Sequence, residues 1–167
     1  TVTGNVIDPK GFTHQKEITL DLNDWEHIVT KGTGMLSMHI PLGEPMGLKV
    51  CIESIKKAYE FFPKIYPDRP FLGVDCYSWI FGNQLEDMFE SDNNLVEFIR
   101  AGYLYPMPGV RSEGYFFVFY KTEGDIKDYP LKTDFQKKIH EWIMAGKPWR
   151  GSGWFVLKED VDKLDQQ

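Results

Sequence analysis

The hydrophobic pattern is most regular in residues 34–79 of the chain. From Leu48 to Phe62, apolar residues recur at intervals of three and four, and lysines and glutamates fill the positions between them. This spacing predicts an amphipathic helix. Short apolar runs at residues 35–40 and 71–77 flank the helix and have the length of buried strands. The stretch therefore predicts a βαβ unit, whose right-handed crossover leaves its two strands parallel.

Polar residues stand where both predicted strands end. His39 lies near the end of the first strand, and Cys76 and Ser78 lie on one face at the end of the second. Because the carboxyl ends of adjacent parallel strands meet at one edge of a sheet, we expect these side chains to approach each other. Tyr77 and Trp79 either form the walls of a pocket at this edge or pack into the core.

The candidate catalytic residues are His39, Cys76 and Ser78. An imidazole has a pKa near neutrality, so His39 suits a general base that acts on an amine or hydroxyl. The alternative is a hydrogen-bonded histidine that shapes the turn after its strand. Cys76 beside a histidine suits an acyl-accepting nucleophile. The alternative for this cysteine is a small buried apolar side chain.

The other predicted elements surround this unit. A Pro-x-Gly turn at residues 9–11 favours a hairpin, and Pro63 and Pro67 are expected to bound the end of the long helix. Alternating helices and strands predict a mixed sheet covered by helices. The remaining predictions are, in chain order, strands at 4–8 and 17–22, a short helix at 25–29, helices at 84–89 and 95–99, a strand at 115–120, a helix at 135–143, a strand at 154–157 and a polar tail at 158–167.

Composition excludes some classes of partner. With 167 residues, 42% of them hydrophobic, the chain is expected to be one globular domain. The formal net charge of −6 disfavours nucleic acids and anionic membranes, which require clustered lysines and arginines. No apolar run is long enough to span a bilayer. The chain begins Thr1-Val2 without an initiator methionine, so we expect it to be part of a longer protein.

The cysteines and histidines indicate the compartment and the absence of a metal. Cys51 and Cys76 lack a Cys-x-x-Cys spacing and are expected to be reduced thiols of a cytoplasmic protein. His14, His27 and His140 lie in unrelated segments without metal-ligand spacing, so we expect no metal.

Several short motifs along the chain occur together in one known family. They are His39-Ile40-Pro41, Cys51-x-Glu53-Ser54-x-x-x-Ala58-x-x-Phe61-Phe62, Cys76-x-Ser78-Trp79, Asn93-Asn94-x-x-x-Phe98, Thr133-Asp134-Phe135-Gln136 and Gly151-x-Gly153. With these motifs the chain resembles the GNAT-like C-terminal domain of bacterial acyltransferase-domain proteins, from about Leu20 to Leu157.

This resemblance implies a fold and an activity. The implied fold is α/β (α+β), with a mixed, mostly antiparallel sheet, a central parallel strand pair and flanking helices. Residues 1–167 would form one GNAT-like domain that follows an N-terminal domain of the same protein, its expected partner. The implied activity is transfer of an acyl group from acetyl-CoA, another acyl-CoA or a carrier thioester to the amine or hydroxyl of a small molecule.

The resemblance also implies where the donor binds. The family resembles the superfamily of GCN5-related N-acetyltransferases. In that superfamily, backbone amides at the start of the long helix hold the pyrophosphate of coenzyme A, which suits the helix dipole. The equivalent loop at residues 41–47 contains Gly43 and Gly47, and Asn94 belongs to another matching motif. Glu44 is a possible base or pocket residue in the loop, while Pro45 removes an amide donor. A second hypothesis is therefore a catalytically inactive GNAT-like module that binds its N-terminal domain.

Overall fold

The computed structural model describes residues 1–41, 43, 46–107 and 113–164. Its strands form two sheets. An antiparallel hairpin of β1 and β2 stands apart from a mixed sheet with the order β3-β4-β6-β5. The strands are β1 (Val2–Ile7), β2 (Thr13–Leu20), β3 (Met35–Ser37), β4 (Gly73–Ser78), β5 (Tyr103–Pro106) and β6 (Ser152–Leu157).

The predicted βαβ unit is confirmed. Strands β3 and β4 are adjacent and parallel, with Met35 opposite Gly73 and Ser37 opposite Asp75. The other pairs of this sheet, β4 with β6 and β5 with β6, are antiparallel. The chain thus has the mixed, mostly antiparallel sheet with one parallel pair that the family resemblance implies. In the described residues this pair lies at one side of the sheet, with β3 at the edge.

Helices cover the mixed sheet. The long helix α1 connects the two parallel strands and buries Ile52, Ile55 and Tyr59. The helices are α1 (Leu48–Ile65), α2 (Leu85–Met88), α3 (Asn94–Arg100), α4 (Glu113–Phe119), α5 (Asp134–Met144) and α6 (Lys158–Leu164), and 3₁₀ turns occur at Trp79–Phe81 and Ile126–Asp128. None of the described helices combines the length and hydropathy needed to cross a bilayer.

Local capping signals identified two helices correctly. The Asn93 side chain accepts a hydrogen bond from the Leu95 N–H and starts α3. Thr133 and Gln136 form a capping box at the start of α5, in which each side chain accepts a hydrogen bond from the other residue's backbone. These caps depend on neighbours in sequence, so they are visible without the fold.

One helix prediction was wrong. Residues 25–29 form no helix, because Trp25, Ile28 and Val29 are exposed and a helix this short needs packing to be stable. The long helix α1 ends at Ile65, between the two prolines that were expected to bound its end, and Pro63 lies inside its last turn. There the Tyr66 N–H donates to the Phe62 carbonyl at 2.8 Å and closes this turn.

The predicted strand at residues 115–120 is also wrong, since Glu113–Phe119 is helix α4. Aromatic and β-branched residues favour strands only where the surroundings provide a pleated, half-buried surface. Here Val118 and Phe119 are buried side by side, whereas Phe116 and Phe117 are half-exposed. Packing thus selects one face of a helix instead of the alternate residues of a strand.

Two further elements were not predicted. Strand β5 pairs with β6, with Leu104 opposite Trp154. The tail predicted at residues 158–167 instead begins as helix α6, which buries Val161. Its signal was present in the acidic first turn and the three-residue spacing of Val161 and Leu164.

Candidate functional site

The two parallel strands separate at their carboxyl ends. In the described part of the chain, the last backbone hydrogen bond between them runs from the Met38 N–H to the Asp75 carbonyl at 2.8 Å. Strand β4 stays paired with β6 as far as Ser78 opposite Ser152. The segment after Met38 instead leaves the sheet towards the start of α1.

A cleft with a volume of about 420 Å³ lies where the strands separate. This volume is typical of a small-molecule site. The cleft is lined by Met38, His39, Ile40, Pro41, Gly43, Met46, Cys76, Tyr77, Ser78, Trp79, Ile80, Leu95 and Phe117.

The cleft brings together most residues that the sequence singled out. Gly47, the last residue of the 41–47 loop, is the N-cap residue of α1 and adjoins Met46 of the cleft wall. Asn94 is exposed and lies in a neighbouring shallow depression with Lys138. Glu44 falls outside the described residues. The six predicted residues that line the cleft are His39, Gly43, Cys76, Tyr77, Ser78 and Trp79.

Two of the three candidate catalytic side chains, His39 and Cys76, differ in exposure. His39 is exposed to solvent, whereas Cys76 is only 6% exposed. Burial raises the pKa of Cys76 to about 11, and the Asp75 carboxylate adds to this effect. A thiol with this pKa is protonated at neutral pH, so it is a weak nucleophile without a base to deprotonate it.

Ser78 has a structural partner. Its hydroxyl accepts a hydrogen bond from the Ile80 N–H at 3.4 Å and caps the 3₁₀ turn Trp79–Phe81. This contact directs the chain away from β4 at the end of the cleft.

Aromatic rings form one wall of the cleft. The Trp79 ring stacks on Phe117 with centroids 6.4 Å apart and on Trp149 with centroids 6.1 Å apart. Helix α4 can approach this stack because Gly114 has no side chain, since a Cβ there would lie 2.5 Å from the Trp149 Nε1. Sequence reasoning missed Phe117, because only the packing of α4 brings it to the cleft.

The N-terminus of α1 adjoins the cleft through Gly43 and Met46. The first amides of an α-helix have no acceptor within the helix, and the helix dipole makes this end positive. The first turn contains no acidic residue and includes the exposed Lys49. This end of the cleft therefore favours an anionic group.

Within the described residues, no group of three or more histidine, cysteine, aspartate or glutamate side chains is placed to hold a metal ion.

The described geometry is a cleft between parallel strands beside a helix N-terminus. A comparison with protein families finds that the model of the GNAT-like C-terminal domain matches residues 8–155. The chain belongs to this family. The match spans β3, α1 and β4, so the cleft is part of the GNAT-like domain. A comparison with curated proteins found no match.

Solved structures with a similar fold are acyltransferases. One is an acyltransferase in complex with CoA and 10C-teicoplanin, with a TM-score of 0.68 and 23% sequence identity. The match covers 77% of this chain and 42% of the acyltransferase chain. Another is an acyltransferase in complex with decanoyl-CoA and teicoplanin, with a TM-score of 0.67 and 23% sequence identity. This match covers 78% of this chain and 43% of the acyltransferase chain. The GNAT-like chain thus spans less than half the length of these structures, and its fold is that of GNAT-like acyltransferases.

Proposed function

We propose that this GNAT-like domain transfers an acyl group from an acyl-CoA to an amine or hydroxyl of a small molecule. The observation that carries the proposal is the cleft between the ends of β3 and β4 beside the N-terminus of α1. The similar solved structures contain CoA or acyl-CoA, and two of them also contain teicoplanin or 10C-teicoplanin. These complexes support an acyl-CoA donor and a small-molecule acceptor.

The proposed donor extends from α1 into the cleft. Its pyrophosphate binds the first amides of α1, with Gly43 and Gly47 allowing close approach and Lys49 adding positive charge. Its thioester lies between His39 and Cys76, where both strands end.

His39 is the proposed general base. It removes a proton from the acceptor amine or hydroxyl as the acceptor nitrogen or oxygen attacks the thioester carbonyl carbon. The new carbon–nitrogen or carbon–oxygen bond forms, the carbon–sulfur bond breaks, and CoA leaves as a thiolate that takes up a proton. The raised pKa of Cys76 favours this direct route over an acyl-cysteine intermediate.

The acceptor site also involves the aromatic wall of the cleft. Tyr77 and Trp79 provide broad apolar surfaces beside the proposed thioester position. We further propose that a separate N-terminal domain of the same protein completes the acceptor site, and that the protein acts in the cytoplasm. The free thiols of Cys51 and Cys76 fit a reducing compartment.

Donor binding is tested by thermal unfolding with CoA and acyl-CoA. A ligand that binds the native state at 100 times its dissociation constant stabilises the protein by about 2.7 kcal/mol, so the midpoint should rise by several degrees. ATP is the control for nucleotide binding alone. An unchanged midpoint at millimolar CoA and acyl-CoA contradicts the proposed donor and leaves the inactive binding module as the better hypothesis.

The role of His39 is tested by thiol release from acyl-CoA, with glucosamine and tyramine as acceptors. His39→Ala should lower the rate constant by about 100-fold or more, the usual contribution of a general base. His27→Ala removes an exposed histidine that does not line the cleft and should leave the rate unchanged. Equal rates in both variants would remove His39 from the mechanism.

A further inference from the structure

A second cavity shares a wall with the cleft. It has a volume of about 400 Å³ and lies between β3 and α1. We call it the α1 groove. Residues 38–41 and Met46 line both cavities. The groove is lined by Leu36, Ser37, Met38, His39, Ile40, Pro41, Met46, Val50, Cys51, Ser54, Ile55, Ala58, Phe62 and Val74.

The groove has an apolar lining. Among its described lining residues there is no aspartate, glutamate, lysine or arginine. A charged or strongly polar ligand would lose hydration there without a compensating partner. An aliphatic chain loses nothing by the same transfer and gains the hydrophobic contribution of each buried methylene. The chemistry of the lining therefore selects hydrocarbon.

The shape of the groove selects a linear group. Along α1 it is bordered by small side chains at Cys51, Ser54 and Ala58, between Val50 at one end and Phe62 at the other. At a rise of about 1.5 Å per residue, this stretch of helix is about 18 Å long. With carbon–carbon bonds of about 1.5 Å, an extended ten-carbon chain measures about 12 Å and fits along it.

We propose that the α1 groove holds the tail of the transferred acyl group, so that the donor is a medium-chain acyl thioester. This inference rests on the proposed function, which puts the thioester in the cleft. From there the chain passes over the shared wall at residues 38–41 and follows α1 towards Phe62. Ala58, about two-thirds of the way from Val50 to Phe62, then limits the length and width of the acyl group.

The proposal predicts how affinity depends on chain length. Isothermal titration calorimetry compares CoA with acetyl-, hexanoyl-, octanoyl- and decanoyl-CoA. Affinity should rise by about fourfold for each added methylene until the groove is full. Affinity that is independent of chain length overturns the proposal. That result is also expected if a polypeptide segment occupies the groove.

A matched pair of variants locates the chain. Ala58→Trp shortens the groove to the stretch before residue 58, so affinity should stop rising at a shorter acyl chain than in the parent, while CoA affinity is unchanged. Glu60→Trp adds the same ring at an exposed position about 200° away around α1 and should keep the dependence. If affinity rises with chain length in Ala58→Trp as it does in the parent, up to dodecanoyl-CoA, the acyl tail lies elsewhere.

Cys51 provides a measurement in the parent protein, which decides the question even if Ala58→Trp does not fold. Its thiol is partly buried in the groove lining, so a bound acyl tail should shield it from iodoacetamide. Decanoyl-CoA should slow its alkylation by about tenfold or more, and acetyl-CoA should not. Equal alkylation rates with both ligands at saturation overturn the proposal.

A thioester without a nucleotide separates the groove from the CoA site. Decanoyl-N-acetylcysteamine carries the same tail and should also shield Cys51. If it does so while CoA fails to bind, the groove holds an acyl chain and the CoA donor of the proposed function is wrong. If CoA binds and no decanoyl thioester shields Cys51, the cleft proposal survives and the groove proposal is refuted.

Discussion

The reactivity of Cys76 tests whether transfer is direct or passes through an acyl-enzyme. Burial, with a smaller contribution from Asp75, raises the pKa of this thiol from 9.0 to about 11. A shift of about two units lowers the thiolate fraction about 100-fold at any pH well below 9. Since only the thiolate attacks an electrophile at a useful rate, Cys76 should react about 100-fold more slowly than an ordinary thiol, before any steric protection is added.

The assay is alkylation by iodoacetamide, followed by peptide mass spectrometry at several pH values. Glutathione is the reference thiol, and Cys51, which is less deeply buried, is an internal comparison. Labelling of Cys76 should accelerate about tenfold per pH unit from neutral pH to beyond pH 9, and Cys51 should label first. The fold must be monitored by circular dichroism, because unfolding at high pH exposes both thiols.

The matching variant is Cys76→Ala, which removes the sulfur with little change in volume. Under the direct mechanism, kcat/KM for acyl transfer should stay within about threefold of the parent value, since the variant loses no interaction that is specific to the transition state. Fast labelling of Cys76 at neutral pH, combined with a loss of activity of about 100-fold or more in Cys76→Ala, would refute this reasoning. Those results together would establish a thiolate nucleophile.

Three further predictions concern stability. Ile139→Ala removes a fully buried side chain and should lower the free energy of unfolding by about 2–5 kcal/mol in urea denaturation; a loss below about 1 kcal/mol would mean that α5 does not pack as described. Gln136→Ala removes the acceptor of the capping box and the side-chain amide that donates to the buried Val118 carbonyl of α4 at 2.8 Å, so it should lower the free energy of unfolding by about 1–3 kcal/mol. The control Lys137→Ala changes an exposed neighbour and should lower it by less than about 0.5 kcal/mol. Equal losses in the two variants would contradict the cap. Burial raises the pKa of Cys76 to about 11 and of Tyr59 to about 12, above the ordinary 9.0 and 10.0. The unfolded chain therefore releases these protons first, so stability should be constant up to about pH 9 and fall above it, and a stability that rises between pH 9 and 11 would contradict the burial of both groups.

The residues of the candidate site were predictable because they belong to one short stretch of chain. His39 and Cys76 stand at the ends of two strands joined by one helix, and a right-handed crossover leaves such strands parallel and, here, adjacent. Their approach therefore required no knowledge of the rest of the fold. Phe117 and Leu95 reach the same cleft from distant segments, and no local pattern indicated that they would.

The wrong element predictions share a cause. Residues 115–120 have strand composition but form a helix because Gly114 fits beneath Trp149 and Val118 packs inward. Residues 25–29 have helical spacing but remain irregular, because their apolar side chains stay exposed and no packing stabilises a helix there. In both segments local preference is weak and tertiary packing decides.

By itself, the sequence determined the amphipathic helix, its two parallel strands, the caps of α3 and α5, and which polar residues stand at the strand ends. These features depend on residue spacing and on hydrogen bonds between near neighbours, both of which are local. Tertiary structure alone decided where the strands separate, which aromatic rings close the cleft, and that an apolar groove runs beside α1. Those features are spaces between elements, and a space is defined only when distant segments pack around it.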